Sequence, residues 1–360
     1  MLVDLPGLRF APSTPVHKAS TTMAVVGPSG KQLACHVLST SAKELITLIK
    51  TIPRPRYLSL EEGTQSDWLY EMLSPHVDKL TVVALRQQSR GPKDDRRDAF
   101  KLADDLRTNS IKSSVFKNLG RYGLLRELAG VFRMQVRDSV RVQNRIHALY
   151  RSRGLDSPGQ ALFDKDTRQS YIEELPNKKQ PVADLLLREY DAVQPLRADA
   201  EKQMVREARR HHSVKLLESI PGIGKIRAAQ VIPIIISPER FRTKRQLWSY
   251  SGLGITMRSS SDWVQDDHGQ WSRDTVHKTR GLNRNHNSIL KHIFKGAATT
   301  VIGQARPDEP LYIHYRALVD GKTKPNLAKL TIARQIAAIT LAVLKKQEEY
   351  DPKKIMKKTK

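Results

Sequence analysis

A disulfide framework is excluded at once, because the 360-residue chain has one cysteine, Cys35. A reducing, cytoplasmic compartment suits such a chain. Without a Cys pair the common zinc sites are also missing, and His268, His277, His286 and His292 do not fall at ligand spacing. No charged-then-apolar leader is read at the start. The most apolar late segment, "LAKLTIARQIAAITLAVLKK", is interrupted by Lys329, Arg334 and Gln335, so it predicts an amphipathic core helix and no membrane span. Acidic residues are the largest deficit: 37 Asp and Glu stand against 62 Lys and Arg, a formal charge of +25. The excess runs along the whole chain, which points to nucleic acid as partner through phosphate neutralisation and counterion release. Charge alone names a polyanion and no reaction.

Against that shortage stands "GPKDDRRDAFKLADDLR", residues 91–107, with five aspartates in seventeen residues. At about 100° per residue, Ala99, Leu102, Ala103 and Leu106 form one apolar stripe that Asp95 and Asp98 extend toward the N-terminus. Asp94, Asp104 and Asp105 fall off it and read as solvated partners of nearby Arg and Lys. Carboxylates on a core-facing side are costly unless a cation compensates them, so either a metal site or structural ion pairs could explain Asp95 and Asp98.

With 39% apolar residues the chain is globular and long enough for two or three cores. The first hundred residues alternate strand and helix patterns. A hairpin in "TTMAVVGPSGKQLACHVLST" turns at Gly27 to Gly30. The helix "AKELITLIKTI" follows, then the strand "RYLSLEEG" ending in Glu61 and Glu62, the helix "DWLYEMLSPHV" and the strand "KLTVVAL". This order predicts an α/β layer fold with its site at strand ends. Residues 115–213 read helical and basic, and the stretch from Val182 to Ile220 reads as one long helix or as two broken near Pro195. Leu186, Tyr190, Val193 and Leu196 form a seam that suits either an intramolecular helical hairpin or a coiled-coil dimer.

Three later stretches suit phosphate. "SIPGIGKIRAAQVI" fits a helix-hairpin-helix, in which Gly222, Gly224 and Lys225 would hold a backbone phosphate at a helix N-terminus; an ordinary interhelical turn is the alternative. It is not a nucleotide-binding phosphate loop, because the first Gly and the following Ser/Thr are missing. "LWSYSGLGITMRSSSDW" places Ser259, Ser260 and Ser261 past a Gly-rich turn, and a serine run in a loop is usually only a loop. "KTRGLNRNHNSILKHIFKGAA" gathers Lys278, Arg280, Arg284 and Lys291 near an Asn-rich helix start.

In this order, "EEGTQSDWLYEML", "KDDRRDAFKLADDLR", "IPGIGKIRAAQ", "SYSGLGITMRSSSDW" and "TRGLNRNHNSILKHIFKGAA" resemble transposases of the insertion-sequence 110 family, also called DEDD transposases. The resemblance runs from about Val16 to Tyr350. It implies a fold of α/β plus α: a RuvC-like, RNase-H-type domain over 1–112, a helical coiled-coil middle over 113–214, and a mostly helical C-terminal transposase domain with a helix-hairpin-helix over 215–350, before a basic tail at 351–360. It also implies a recombinase that links DNA covalently to a serine, guided to donor and target DNA by a structured bridge RNA and working as a homodimer or homotetramer. Four acids of the family hold magnesium or another divalent metal.

Carried over residue by residue, the Lys-x-Asp-x-x-Asp-Ala pattern falls on Lys93, Asp95, Asp98 and Ala99. The family glutamate falls on Glu61, with Glu62 adjacent, and the nucleophile on Ser260, with Ser259 or Ser261 one register away. Arg258, Arg280 and Arg284 are phosphate-clamp candidates by proximity. The chain departs from the pattern at the first aspartate, whose position falls on Pro15 in "STPVHKAST". Proline cannot bind metal. A non-native start, a degenerate copy, or substitution by another acid would each account for it. Two other readings therefore stand beside the recombinase: a RuvC-like endonuclease using metal-activated water, and a nucleic-acid-binding copy without activity.

Overall fold

The computed structural model describes residues 9–12, 19–83, 94–111, 120–157, 159–258, 263–273, 278–304 and 307–356. Two compact units divide the chain, Met1–Asn118 and Leu119–Lys360.

The first unit is built on a five-stranded sheet in the order β3-β2-β1-β4-β5. Its strands are β1 (Arg9–Pro12), β2 (Ser20–Val26), β3 (Gln32–Ser39), β4 (Tyr57–Glu61) and β5 (Lys79–Val83). β1, β2 and β3 pair antiparallel, whereas β4 and β5 run parallel to β1. The expected hairpin is β2–β3, closed by Gly27 N–H to the Lys31 carbonyl at 2.9 Å. β1 begins at Arg9, ahead of the stretch "STPVHKAST".

Strand alternation divides the core into two layers. Met23, Val25, Leu58, Leu60 and Val82 face one side and pack with Leu45 and Ile49 of helix α1 (Ala42–Lys50) and Leu69 and Leu73 of α2 (Ser66–Leu73). Ala24, Val26 and Val83 face the other side, against Ala99, Phe100, Leu102 and Ala103 of α3 (Asp95–Arg107).

The second unit opens with an intramolecular helical hairpin of α4 (Gly123–Arg151) and α6 (Gln180–Ala208), linked through the short α5 (Arg168–Glu173). Gln194 donates to the Ser139 hydroxyl at 3.0 Å and Arg145 pairs with Glu189 at 3.0 Å across it. The hairpin alternative for the seam is therefore realised within one chain. Leu186, Tyr190 and Val193 are half-buried in it while Leu196 is exposed. Of the two alternatives at Pro195 the single helix is realised, because α6 runs unbroken through it. The packing of the hairpin on either side of Pro195 overrides the missing hydrogen bond.

The remaining α-helices are α7 (His212–Glu218), α8 (Lys225–Ile235), α9 (Lys244–Tyr250), α10 (Ser288–Gln304), α11 (Pro310–Asp320), α12 (Pro325–Lys346) and the short α13 (Lys353–Met356). One core joins Leu125, Phe132 and Met204 of the hairpin to Ile232, Leu247, Phe294, Leu311 and Ile336. Among the described residues α12 alone is long and apolar enough to cross a membrane. Its Ile332, Ala333, Ile336 and Ala337 are instead fully buried in that core, as the sequence predicts. Between α9 and α10 lie two small antiparallel ribbons, β6 (Ile255–Arg258) with β9 (Lys278–Leu282) and β7 (Trp263–Gln265) with β8 (Trp271–Arg273).

Candidate functional site

In the first unit Glu61 and the aspartates of α3 belong to the same layer of the sheet. Leu58 and Leu60 point to α1 and α2, so the intervening Ser59 and the terminal Glu61 point to the α3 side. Glu61 is opposite Val83 in register, and Val83 packs with α3. The ladder runs one residue further, with Glu62 N–H to the Val83 carbonyl at 2.8 Å, before Gly63 N–H bonds the Ser66 hydroxyl at 2.7 Å. Glu61 is half-buried and Glu62 is exposed. Ser59 is fully buried, and its hydroxyl has no hydrogen-bond partner.

Helix α3 begins where Asp94 Oδ1 accepts from Arg96 N–H at 3.0 Å and Arg97 N–H at 3.3 Å. Asp94 was expected to be a solvated ion-pair partner; it is the N-cap, because its side chain satisfies amides that the first turn leaves open. The buried stripe ends at Ala99, since Asp95 is half-buried and Asp98 exposed. Its continuation into the aspartates is thus a correction to the sequence reading: no burial penalty has to be offset there. Both carboxylates instead lie in the first helical turn, where the helix dipole favours negative charge. Asp104 pairs with Arg107 at 2.7 Å. Lys93 and Pro15 lie outside the described residues.

Among the described residues no three His, Cys, Asp or Glu side chains cluster closely enough to hold a metal ion by themselves. Glu61, Asp95 and Asp98 nevertheless offer the oxygen donors that magnesium takes, and magnesium commonly completes its shell with water and substrate phosphate around one or two carboxylates. That donor chemistry fits the group.

In the second unit, α7 and α8 are joined by a tight turn at 219–224. Ile223 N–H bonds the Ile220 carbonyl at 2.9 Å, and Gly222 takes a φ of 78°. A Cβ at Gly222 would lie 2.4 Å from the Ala297 carbonyl oxygen of α10, so this glycine is required by close packing. Gly224 and Lys225 are exposed. Gly224 caps α8 without a side chain, so the first amides of α8 have no side-chain acceptor at the cap.

The Gly252–Gly254 turn is held from several directions. Trp248 Nε1 donates to the Arg334 carbonyl at 2.8 Å, and Arg334 Nε returns a bond to the Leu253 carbonyl at 2.7 Å. Asn283 N–H meets the Gly254 carbonyl at 3.0 Å and Asn287 N–H the Tyr250 carbonyl at 2.8 Å. Gly252 has a φ of 67°, and a Cβ there would come 2.4 Å from His286 Cδ2. From this base β6 and β9 run out as a paired antiparallel ribbon, with Arg258 and Lys278 as register partners at its far end. Ser259, Ser260 and Ser261 follow directly and lie outside the described residues. Arg280 belongs to β9, and Arg284 is exposed in the turn before α10.

Residues 214–313 match the Transposase IS116/IS110/IS902 family. The matched stretch runs from α7 into α11 and so contains the 219–224 turn, the Gly252 turn, the serine loop and Arg284. It supports a transposase or recombinase function, with DNA cut and rejoined. No curated protein matches the chain.

Two arginines have structural roles in this stretch and its support: Arg227, which the sequence did not single out, and Arg334, read there only as an interruption of an apolar run. Burial lowers the proton affinity of both guanidinium groups below the usual arginine value. Each sits in a helical pattern where a lone arginine reads as solvated, and their partners are 73 and 81 residues away in the chain. No short-range signal could have found them.

Proposed function

We propose that the chain is an insertion-sequence transposase that cuts and rejoins DNA through Ser260, with Glu61, Asp95 and Asp98 as a metal-binding acidic site and a bridge-type RNA supplying sequence choice. One observation carries this reading: the matched transposase stretch encloses a serine loop whose base is fixed by the Arg334, Asn283 and Asn287 bonds. Such a base supports a nucleophile that must be aimed, since a misplacement of about 1 Å can cost about a hundredfold in rate.

The Ser260 hydroxyl would attack phosphorus, forming an Oγ–P bond as a backbone P–O bond breaks. Its proton would pass to a basic neighbour, because serine is a weak nucleophile at its free pKa. The phosphodiester energy stays in the serine ester, so rejoining needs no external source. Arg258, Lys278, Arg280 and Arg284 would hold phosphate oxygens, and the open amides of α8 beside Gly224 and Lys225 would hold another as a helix-hairpin-helix does. Glu61, Asp95 and Asp98 would bind magnesium, which supplies polarisation of a phosphate oxygen when bound. The order β3-β2-β1-β4-β5 with its mixed pairing supports the RNase-H-type, RuvC-like reading of the first unit. A homodimer or homotetramer would bring donor and target together.

Labelled DNA, the flanking RNA of the element and magnesium, incubated with the chain and run on a denaturing gel, test the reading. A covalent adduct lost in Ser260→Ala is the expected result. Cleavage to free ends that survives Ser260→Ala would replace it with the water-dependent endonuclease. Binding with neither adduct nor free ends would make the copy inactive, as Pro15 at the first aspartate position suggests.

A further inference from the structure

Helix α4 carries an unpaired set of cations that the proposed chemistry does not use. Arg126, Gly130, Arg133 and Arg137 follow one another at spacings of four, three and four, which lines them up along one side of the helix. Arg126 and Arg137 are exposed, and Arg133 is half-buried. Gly130 leaves a notch in the row: a Cβ there would touch only Arg133 Nη2, at 3.9 Å. The Arg133 guanidinium therefore lies across bare helix backbone. Its Nη1 is closed off and has no hydrogen-bond partner.

Nothing nearby compensates this charge. The acids of α4 lie on another side of the helix, and Asp138 is already paired with Arg141 at 3.0 Å. Among the described residues Arg126, Arg133 and Arg137 take part in no ion pair. Burial, followed by repulsion from Arg137 and Arg126, weakens the hold of Arg133 on its proton. A half-buried guanidinium with an open donor and two like-charged neighbours is costly in the free protein. An anion reaching Nη2 past Gly130 would relieve the repulsion among the three cations. The row spans about 16 Å at about 1.5 Å per residue, too long for one small anion and matched to a polymer carrying one negative charge per about 1.7 Å of duplex.

We propose that Arg126, Arg133 and Arg137 form a phosphodiester-binding stripe on α4, with Gly130 letting a backbone phosphate oxygen reach the Arg133 guanidinium. The proposal rests on the nucleic-acid reading above and places a further contact surface outside the matched transposase stretch.

Fluorescence anisotropy of labelled duplex DNA and duplex RNA of equal length, titrated with the full chain over a range of NaCl concentrations, tests it. For DNA, Arg126→Gln/Arg133→Gln/Arg137→Gln together should flatten the log K against log salt slope by about 2.7, since each lost phosphate contact removes about 0.9. Affinity at 0.1 M salt should fall by more than about a hundredfold. Arg133→Met alone should flatten the slope by about 0.9 and leave the thermal midpoint unchanged or raised, because the open donor is gone. Loss with only one of the two nucleic acids supports the stripe and names the backbone it holds. A triple variant with wild-type slope and affinity for both overturns the stripe, as does Arg133→Met that melts earlier yet binds unchanged. A wild-type chain that binds neither duplex overturns the nucleic-acid reading and the stripe together.

Discussion

Arg227 Nη1 donates to the Gly222 carbonyl at 2.6 Å and to the Thr300 hydroxyl at 3.0 Å. One side chain thus ties the glycine turn between α7 and α8 to α10. Arg227→Ala removes both bonds and strands a carbonyl, an expected loss of about 1 to 3 kcal/mol. Urea unfolding measures it; a midpoint equal to wild type would show that the turn holds without the arginine.

The two glycines of that turn should respond unequally. Gly222→Ala must push the Ala297 carbonyl away from a 2.4 Å approach and also holds alanine at a φ of 78°, so a loss above about 2 kcal/mol is expected. Gly224→Ala meets nothing within 4 Å and should cost no more than about 1 kcal/mol as a cap substitution. Equal losses in denaturant titrations would sink the packing account of Gly222.

His211 should give the second unit an acid-sensitive limb. Burial depresses its proton affinity, outweighing the opposite pull of Glu207, and Arg121 and Arg210 depress it further. Glu207 lies 3.7 Å from Nε2, too far for a hydrogen bond, and Nε2 has none. A histidine whose folded pKa is below its unfolded value of about 6.5 contributes fully above that value. The contribution is lost as pH falls from about 6.5 through the folded pKa. His211→Gln should flatten the stability profile below pH about 6.5, as followed by thermal midpoints at several pH values. An unchanged acid limb would assign it to other groups.

Ser59 and Glu61 are neighbours on the α3 side of β4 with opposite expectations. Ser59→Ala removes a buried hydroxyl without a partner and should stabilise the first unit by about 0.5 to 1 kcal/mol. Glu61→Gln should leave stability nearly unchanged and abolish magnesium-dependent cleavage, whereas Glu62→Gln should retain it. Cleavage that survives Glu61→Gln but not Glu62→Gln would move the metal ligand one residue along the strand end.

The periodic parts of the fold were legible in the sequence. The β2–β3 hairpin, the strand ending at Glu61 and the apolar row of α3 follow from alternation and helical spacing, which local chemistry sets. The row did not show where burial ends: Asp95 and Asp98 share its angular position but sit at the solvated helix terminus, a matter of where the sheet edge stops. Pro195 left one helix or two open because sequence alone weighs the missing amide and not the hairpin packed around it. The roles of Arg227 and Arg334 escaped because Thr300 and the Leu253 carbonyl lie far along the chain from them. Ser260 stood out only through the ordered motifs around it, since three adjacent serines carry no spacing signal of their own.

The reciprocal bonds between Trp248, Leu253 and Arg334 make α12 more than filler for the core. Because Arg334 sits near the middle of a rigid helix, its height is fixed by every turn of α12 from Pro325 onward. The helix works as a gauge rod, transferring the register of a buried apolar surface to the base of the serine loop. Inserting or deleting one residue between Pro325 and Arg334 would leave an apolar helix in place yet rotate the guanidinium away from Leu253, detuning the loop from a distance.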